Sequence, residues 1–202
     1  MTAAYGLDVE TDTANGGLDP RRCRILAAAV AGAGGVTVLT GPEAHLLAGL
    51  DGLLRSLPPG TLVTWNGSAF DLPFLADRAR ACGVRLGLRL QLDPGLVSRH
   101  PPLTGHSGAY RARWHGHGHL DAYRAYRALV SEGSCALKEV ARRDGLPVVE
   151  ADPARVHELA PDHLRSYVAR DAELALTLAR ARWEEVERFS DPPLAPAVRL
   201  AG

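Results

Sequence analysis

The sequence predicts one α/β domain: a mixed five-stranded sheet, three antiparallel strands followed by parallel ones, flanked by helices. Three observations carry this. Short apolar runs separated by turns fill the first forty residues, giving a β-meander. From Pro42 onward, segments of helical period alternate with strand-like runs. A chain of 202 residues, 46% hydrophobic and 23% charged, is long enough to bury a core and too apolar to remain disordered.

The elements follow in order. Tyr5–Val9 is a short apolar run that ends in the acidic cluster Asp8-Val9-Glu10-Thr11-Asp12. Arg24–Ala31 and Val36–Leu39 are the next two strands, joined by the glycine turn Gly32–Gly35. Pro42 opens a helix whose leucines 46, 47, 50, 53, 54 and 57 recur at helical spacing, and Pro58-Pro59-Gly60 stops it. Thr61–Trp65 is a fourth strand and Asn66-Gly67-Ser68 a tight turn. Asp71–Cys82 is a helix closed by Gly83. Residues 84–119, rich in Gly, Pro, Arg and His, read as a long arm or hairpin, with the fifth strand inside Tyr110–Leu120. Asp121–Ser131, Cys135–Asp144 and Ala160–Phe189 are helical. The domain is expected over residues 1–190, with a loose Pro-rich tail over 191–202.

No apolar run approaches the roughly 18 residues of a membrane span, and no secretory leader is visible. Cys23, Cys82 and Cys135 are odd in number and widely spaced, which reads as reduced thiols of a cytoplasmic protein. Net charge is zero, but its distribution is uneven. Residues 78–143 hold 12 Lys+Arg against 4 Asp+Glu. That segment offers a basic surface to phosphates; equally, 22 of the 23 basic residues are Arg, a pattern that codon bias alone produces.

The carboxylates carry the chemistry. Asp8 and Glu10 lie two apart on a strand, so both emerge on one face. Such a pair is either solvated or neutralised by a cation. Asp71 opens a helix just after a strand, and Tyr167 and Asp171, four apart on the last helix, share a face. Each has a plain alternative: surface acid, helix cap, solvated helix face. Together, four carboxylates from three segments, without cysteine or paired-histidine ligands, point to two divalent metal ions, Mg²⁺ or Mn²⁺. Two such ions suit an in-line phosphoryl displacement, with Tyr167 orienting the attacking water.

The same residues resemble a known family. Leu7-Asp8-Val9-Glu10-Thr11 is similar to the first exonuclease motif of family B DNA polymerases, a strand ending in DxET. Trp65-Asn66-Gly67-Ser68-Ala69-Phe70-Asp71-Leu72-Pro73-Phe74-Leu75 resembles the second, and Tyr167-Val168-Ala169-Arg170-Asp171-Ala172 the third, YxxxD. The separations, about 60 and then 100 residues, agree, as does the helix-turn pattern of Leu137–Gly145. The resemblance covers nearly the whole chain. It implies an RNase H-like fold and a stand-alone DEDD exonuclease of the tyrosine subgroup, working from the 3′ end of a single nucleic-acid strand, DNA favoured. It makes Asp8, Glu10, Asp71 and Asp171 metal ligands and Tyr167 the water-orienting residue. The histidine subgroup would have His at 166, where this chain has Ser. Thr11, Asn66 and Phe70 match positions that face the terminal nucleotides, Phe70 being equally suited to the core.

Other residues have plainer expectations. His115, His117 and His119 would share a face on a strand, a pattern able to bind Zn²⁺ or Ni²⁺. The resemblance favours ordinary strand residues near substrate, with His117 where the family's Gly-Arg-x-x-x-Asp segment has Arg. Asp121 is expected to cap a helix and Asp12 to be an exposed acid. Arg85, Arg89, Arg99, Arg111 and Arg113 of the arm are candidates for guiding a strand, against an ordinary surface loop. Two further functions stay open: a nucleic-acid-binding accessory module with little turnover, and an RNA-directed exoribonuclease.

Overall fold

The computed structural model describes residues 3–15, 18–96, 101–130 and 133–191. Its elements are β1 (Ala3–Thr11), β2 (Ile25–Gly32), β3 (Gly35–Thr40), α1 (Glu43–Ser56), β4 (Gly60–Thr64), α2 (Asp71–Ala81), β5 (Leu88–Leu92), β6 (Tyr110–Trp114), β7 (Gly118–Asp121), α3 (Ala122–Leu129), α4 (Leu137–Arg143), α5 (Pro161–Ala181) and α6 (Trp183–Val186). The main sheet runs β3-β2-β1-β4-β7. Its first three strands are antiparallel, and β1, β4 and β7 are parallel. This is the mixed five-stranded sheet flanked by helices that the sequence predicts.

The two-residue period of β1 sorts its side chains. Tyr5, Leu7 and Val9 join Leu46, Leu47, Leu50, Leu54, Leu72 and Phe74 from α1 and α2 in one core layer. Ala4 faces the other way, with Ala27, Ala29 and Ala31 of β2 and Val168, Ala172 and Ala175 of α5. Small side chains on that face let α5 lie close to the sheet. At Gly6 the approach is backbone to backbone: a Cβ there would stand 2.0 Å from the Ala172 carbonyl oxygen. Asp8 and Glu10 continue this even-numbered face toward the end of β1, beneath α5.

Two sequence expectations are corrected. The run Tyr110–Leu120 is two strands. His115 adopts φ 50° and Gly116 follows it, so the chain turns. β6 then pairs with β5 in a separate two-stranded ribbon, and only β7 enters the main sheet. The last helix is also broken, ending at Ala181 because Arg182 leaves helical geometry (φ −129°, ψ 33°). After this break α6 buries Val186, and a 3₁₀ turn, Glu187–Phe189, follows.

That detour brings Asp191 back to the sheet, where its amide donates to the His119 carbonyl at 2.8 Å. Its carboxylate accepts from the Ala112 amide at 3.1 Å. Asp191 is therefore fixed, not the first residue of a loose tail; the rest of the proposed tail, 192–202, lies outside the described residues. No helix among the described residues is long and apolar enough to cross a membrane. Cys23, Cys82 and Cys135 are all free thiols.

Candidate active site

Three carboxylates from two elements meet at the end of β1. One oxygen each of Asp8, Glu10 and Asp171 lies within 4.8 Å of the other two. The strand period aims Asp8 and Glu10 at α5, and the close approach at Gly6 sets Asp171 against them. A bulge between Glu10 and Thr11 ends the regular pairing of β1 with β2 at this point.

The electrostatics are those of crowded like charges. Burial, then the charges of Glu10, Asp171 and Asp71, hold the Asp8 carboxyl well above its usual range. Glu10 is pushed to about 8 by burial and then by Asp171. Asp171 rises to about 6, burial outweighing the opposing charge of Lys138. Asp8 Oδ2 and Asp171 Oδ1 are buried without a hydrogen-bond partner. Like charges held together in low dielectric cannot all ionise unaided. An oxygen-liganded divalent ion would satisfy both orphan oxygens and reverse these shifts, so this donor set fits Mg²⁺ or Mn²⁺.

The remaining predicted residues fall around the cluster. Asp71 is buried at the first turn of α2 and accepts from its own amide and that of Val9. Burial first, and Asp121 after it, raise its carboxyl to about 7. It stands beside the three-carboxylate group and not within it, its charge still acting on Asp8 and Glu10. Tyr167 is buried one turn before Asp171, and burial plus the charges of Glu10 and Asp171 push its phenol above its ordinary range. Thr11 is buried at the bulge. Asn66 takes the left-handed conformation (φ 72°) in the turn after β4. Phe70 is half-buried, its ring 5.4 Å from that of Phe74.

The sequence reading missed Lys138. Its ammonium lies 3.3 Å from Asp171 Oδ2 and 3.5 Å from the centroid of the Tyr167 ring, the only protein cation in direct contact with the carboxylate group among the described residues. One signal was present: it is the sole lysine beside 22 arginines. A basic residue held to that type at one place suits a compact ammonium, which reaches a crowded acid pocket where a guanidinium fork does not fit.

Other expectations change. Asp121 occupies the N-cap position of α3 but makes no side-chain cap hydrogen bond. Instead its Oδ1 and Oδ2 accept from the amides of Asn66 at 2.9 Å and Ser68 at 3.0 Å, pinning the second motif's turn. Asp12 is half-buried, its Oδ1 accepting from the Ala14 amide at 3.0 Å. The three histidines do not converge. His115 reaches Asp51 Oδ1 at 3.0 Å, His117 Nε2 donates to the Leu54 carbonyl at 2.7 Å, and His119 bonds Thr64 Oγ1 at 2.8 Å. The backbone reversal at His115 separates it from His117 and His119, and each of the three ties the sheet or ribbon to a neighbour. In the arm, Arg111 is held by Asp93 at 2.5 Å and Arg89 is exposed on β5. Arg99 lies outside the described residues.

A carboxylate cluster able to hold a metal ion thus lies at the end of the central strand of a mixed sheet. The family model for the exonuclease domain of family B DNA polymerases matches residues 31–140, more than half of the chain, and the chain belongs to that family. Among solved structures it is similar to the family B DNA polymerase of the hyperthermophilic archaeon Pyrobaculum calidifontis, with a TM-score of 0.72 at 22% identity. The alignment covers 91% of this chain and 25% of the polymerase, so the chain spans about a quarter of that protein's length. At this identity the likeness is one of fold, and the fold is RNase H-like. No curated protein sequence matches the chain. Family membership supports a nuclease, a hydrolase of the 3′–5′ exonuclease class that acts on nucleic acid with divalent metal.

Proposed function

We propose that this chain removes nucleotides from the 3′ end of a single nucleic-acid strand, DNA in preference to RNA, releasing nucleoside 5′-monophosphates. The observation that carries the reading is the convergence of half-buried Asp8 and Glu10 and buried Asp171 within 4.8 Å, with Asp8 Oδ2 and Asp171 Oδ1 lacking a hydrogen-bond partner. Asp8, Glu10, Asp71 and Asp171 are the residues that would hold two divalent ions. Bound there, the ions would supply positive charge to the attacking and departing oxygens of the phosphodiester.

The chain's own groups do the rest. Tyr167, whose phenol stays protonated at neutral pH, orients the attacking water through its hydroxyl as a hydrogen-bond partner and not as a base. Lys138 tethers Asp171 and offsets part of the cluster's charge. Thr11 at the bulge, with Asn66 and Phe70 in the second motif's turn, would face the terminal nucleotides. Asp121 keeps that turn in place through two amides. Together these assignments make the chain a DEDD nuclease of the tyrosine type, in one domain running to at least Asp191.

The test is a timed digestion of 5′-labelled DNA and RNA oligomers of one sequence with Mg²⁺, Mn²⁺ or EDTA. A metal-dependent ladder shortening from the 3′ end, faster on DNA, is the expected result. A ladder from the 5′ end, or equal cleavage in EDTA, would overturn the reading.

A further inference from the structure

Three polar side chains that the acid cluster does not use are almost wholly enclosed. Thr64, at the end of β4, is fully buried, and His119 on β7 is 1% exposed. The Asp191 side chain keeps only 4% of its surface. Burying such groups is costly unless each is met by a partner, and here they meet one another. His119 Nδ1 lies 3.2 Å from Asp191 Oδ2, and His119 Nε2 lies 2.8 Å from Thr64 Oγ1. The Gly67 amide then donates to Thr64 Oγ1 at 3.2 Å. A row of hydrogen bonds thus runs from Asp191 to the turn that precedes Asp71.

Acid-base chemistry gives the row one direction. A carboxylate only accepts, so His119 carries its proton on Nδ1 and presents Nε2 as an acceptor. Thr64 donates its hydroxyl hydrogen to Nε2, and its oxygen is left to accept from the Gly67 amide. Asp191 is itself held, by the Ala112 amide at 3.1 Å and by the Arg124 guanidinium at 3.6 Å. Without that carboxylate the imidazole is free to place its proton on Nε2. Thr64 would then face two donors and have no acceptor for its own hydrogen.

The turn is shaped to this contact. A Cβ at Gly67 would stand 2.3 Å from Thr64 Oγ1, so only glycine fits against the hydroxyl. On either side, Asn66 and Ser68 donate their amides to the two oxygens of Asp121. Three successive amides are therefore held from the ends of β4 and β7. Asn66 keeps φ 72°, a conformation that a non-glycine residue retains only where its surroundings fix it. The Leu72 amide donates to the Gly67 carbonyl at 3.1 Å, which couples the turn to the start of α2 at Asp71.

We propose that Asp191, acting through His119 and Thr64, is a positioning residue that holds the Asn66-Gly67-Ser68 turn in place for catalysis. It rests on the nuclease reading for the reaction that the turn serves. The test compares Asp191→Ala and Thr64→Val with Asp191→Asn and Thr64→Ser, which keep the acceptor oxygen and the hydroxyl. Amide hydrogen exchange by NMR in EDTA follows residues 66–68, and digestion of a single-stranded oligomer with Mn²⁺ gives kcat and KM. Asp191→Ala and Thr64→Val are expected to speed exchange at Gly67 about tenfold and to raise KM several-fold with kcat held, the β1 amides exchanging as in wild type. Asp191→Asn and Thr64→Ser should restore most of both readings. Unchanged Gly67 exchange in Asp191→Ala would overturn the proposal. So would a loss of kcat with KM unmoved, or protection lost evenly across the sheet, either being the mark of a merely structural role. Because exchange is read without metal or strand, the two readings fail separately. A wild type that cuts no strand, while both variants lose Gly67 protection, sinks only the nuclease; one that cuts, with Gly67 exchange and KM unmoved in both variants, sinks only the positioning role.

Discussion

Replacing Glu10 by Gln should stabilise the metal-free protein while disabling its site. Burial and Asp171 raise the Glu10 carboxyl from 4.5 to about 8. A group with a raised folded-state pKa favours folding at low pH and loses that contribution as pH climbs through the folded value. Below pH 4.5 the carboxyl is protonated in both states and Gln is nearly equivalent. Above pH 8 the folded protein bears the full penalty of ionising it, at ~1.4 kcal/mol per pH unit a ceiling of roughly 5 kcal/mol. Neighbouring acids share the proton and water enters the half-buried end of β1, so about 2 kcal/mol is a reasonable expectation. For a domain of this size that is a gain in Tm of about 4–8 °C. The assay is a thermal melt in EDTA between pH 5 and pH 8.5, repeated with Mn²⁺. Glu10→Gln should melt like wild type at pH 5, above it at pH 8.5, and gain much less from Mn²⁺. An equal Tm at pH 8.5, or a gain that does not grow with pH, would refute the picture of three crowded carboxylates.

Gly6→Ala would drive a methyl to 2.0 Å from the Ala172 carbonyl, so α5 must shift off β1. A loss of about 2–3 kcal/mol by chemical denaturation is expected, with weakened metal-dependent cleavage in the folded fraction. Lys138→Met removes the ammonium 3.3 Å from Asp171. Its Tm in EDTA at pH 8 should fall by several degrees, and saturating Mn²⁺ should restore most of the difference. Tyr167→Phe keeps the buried ring and loses the hydroxyl, and kcat on oligonucleotides should drop about a hundredfold with Tm unchanged or higher. Asp121→Asn leaves one acceptor oxygen for two buried amides, and a cost of about 1–3 kcal/mol in denaturant melts is expected, together with a higher KM as the Asn66 turn loosens.

The sequence alone determined the sheet's first half and marked the acids as candidates. Alternation in Tyr5–Val9 and the helical leucines of 46–57 are local patterns, read without neighbours. Asp8 and Glu10 share a face by strand period alone, and Tyr167 and Asp171 by helix period. Position 115 illustrates the limit: three alternating histidines predict one shared face, but a left-handed turn at His115 takes that ring away from the other two, and each ring bonds a different neighbour. Asp121 is the same case, a cap by its sequence position and a brace for a distant turn in the fold.

Tertiary structure decided what long-range contacts alone can decide. That Gly6 lies under the Ala172 carbonyl, that Lys138 reaches Asp171 from another helix, and that Asp191 returns to His119 are meetings of residues many positions apart. Local periodicity is a property of neighbours along the chain, whereas packing distance and desolvation depend on which surfaces the folded chain brings together. The acids were therefore legible as candidates, and their crowding, which suits them to a cation, belongs to the fold.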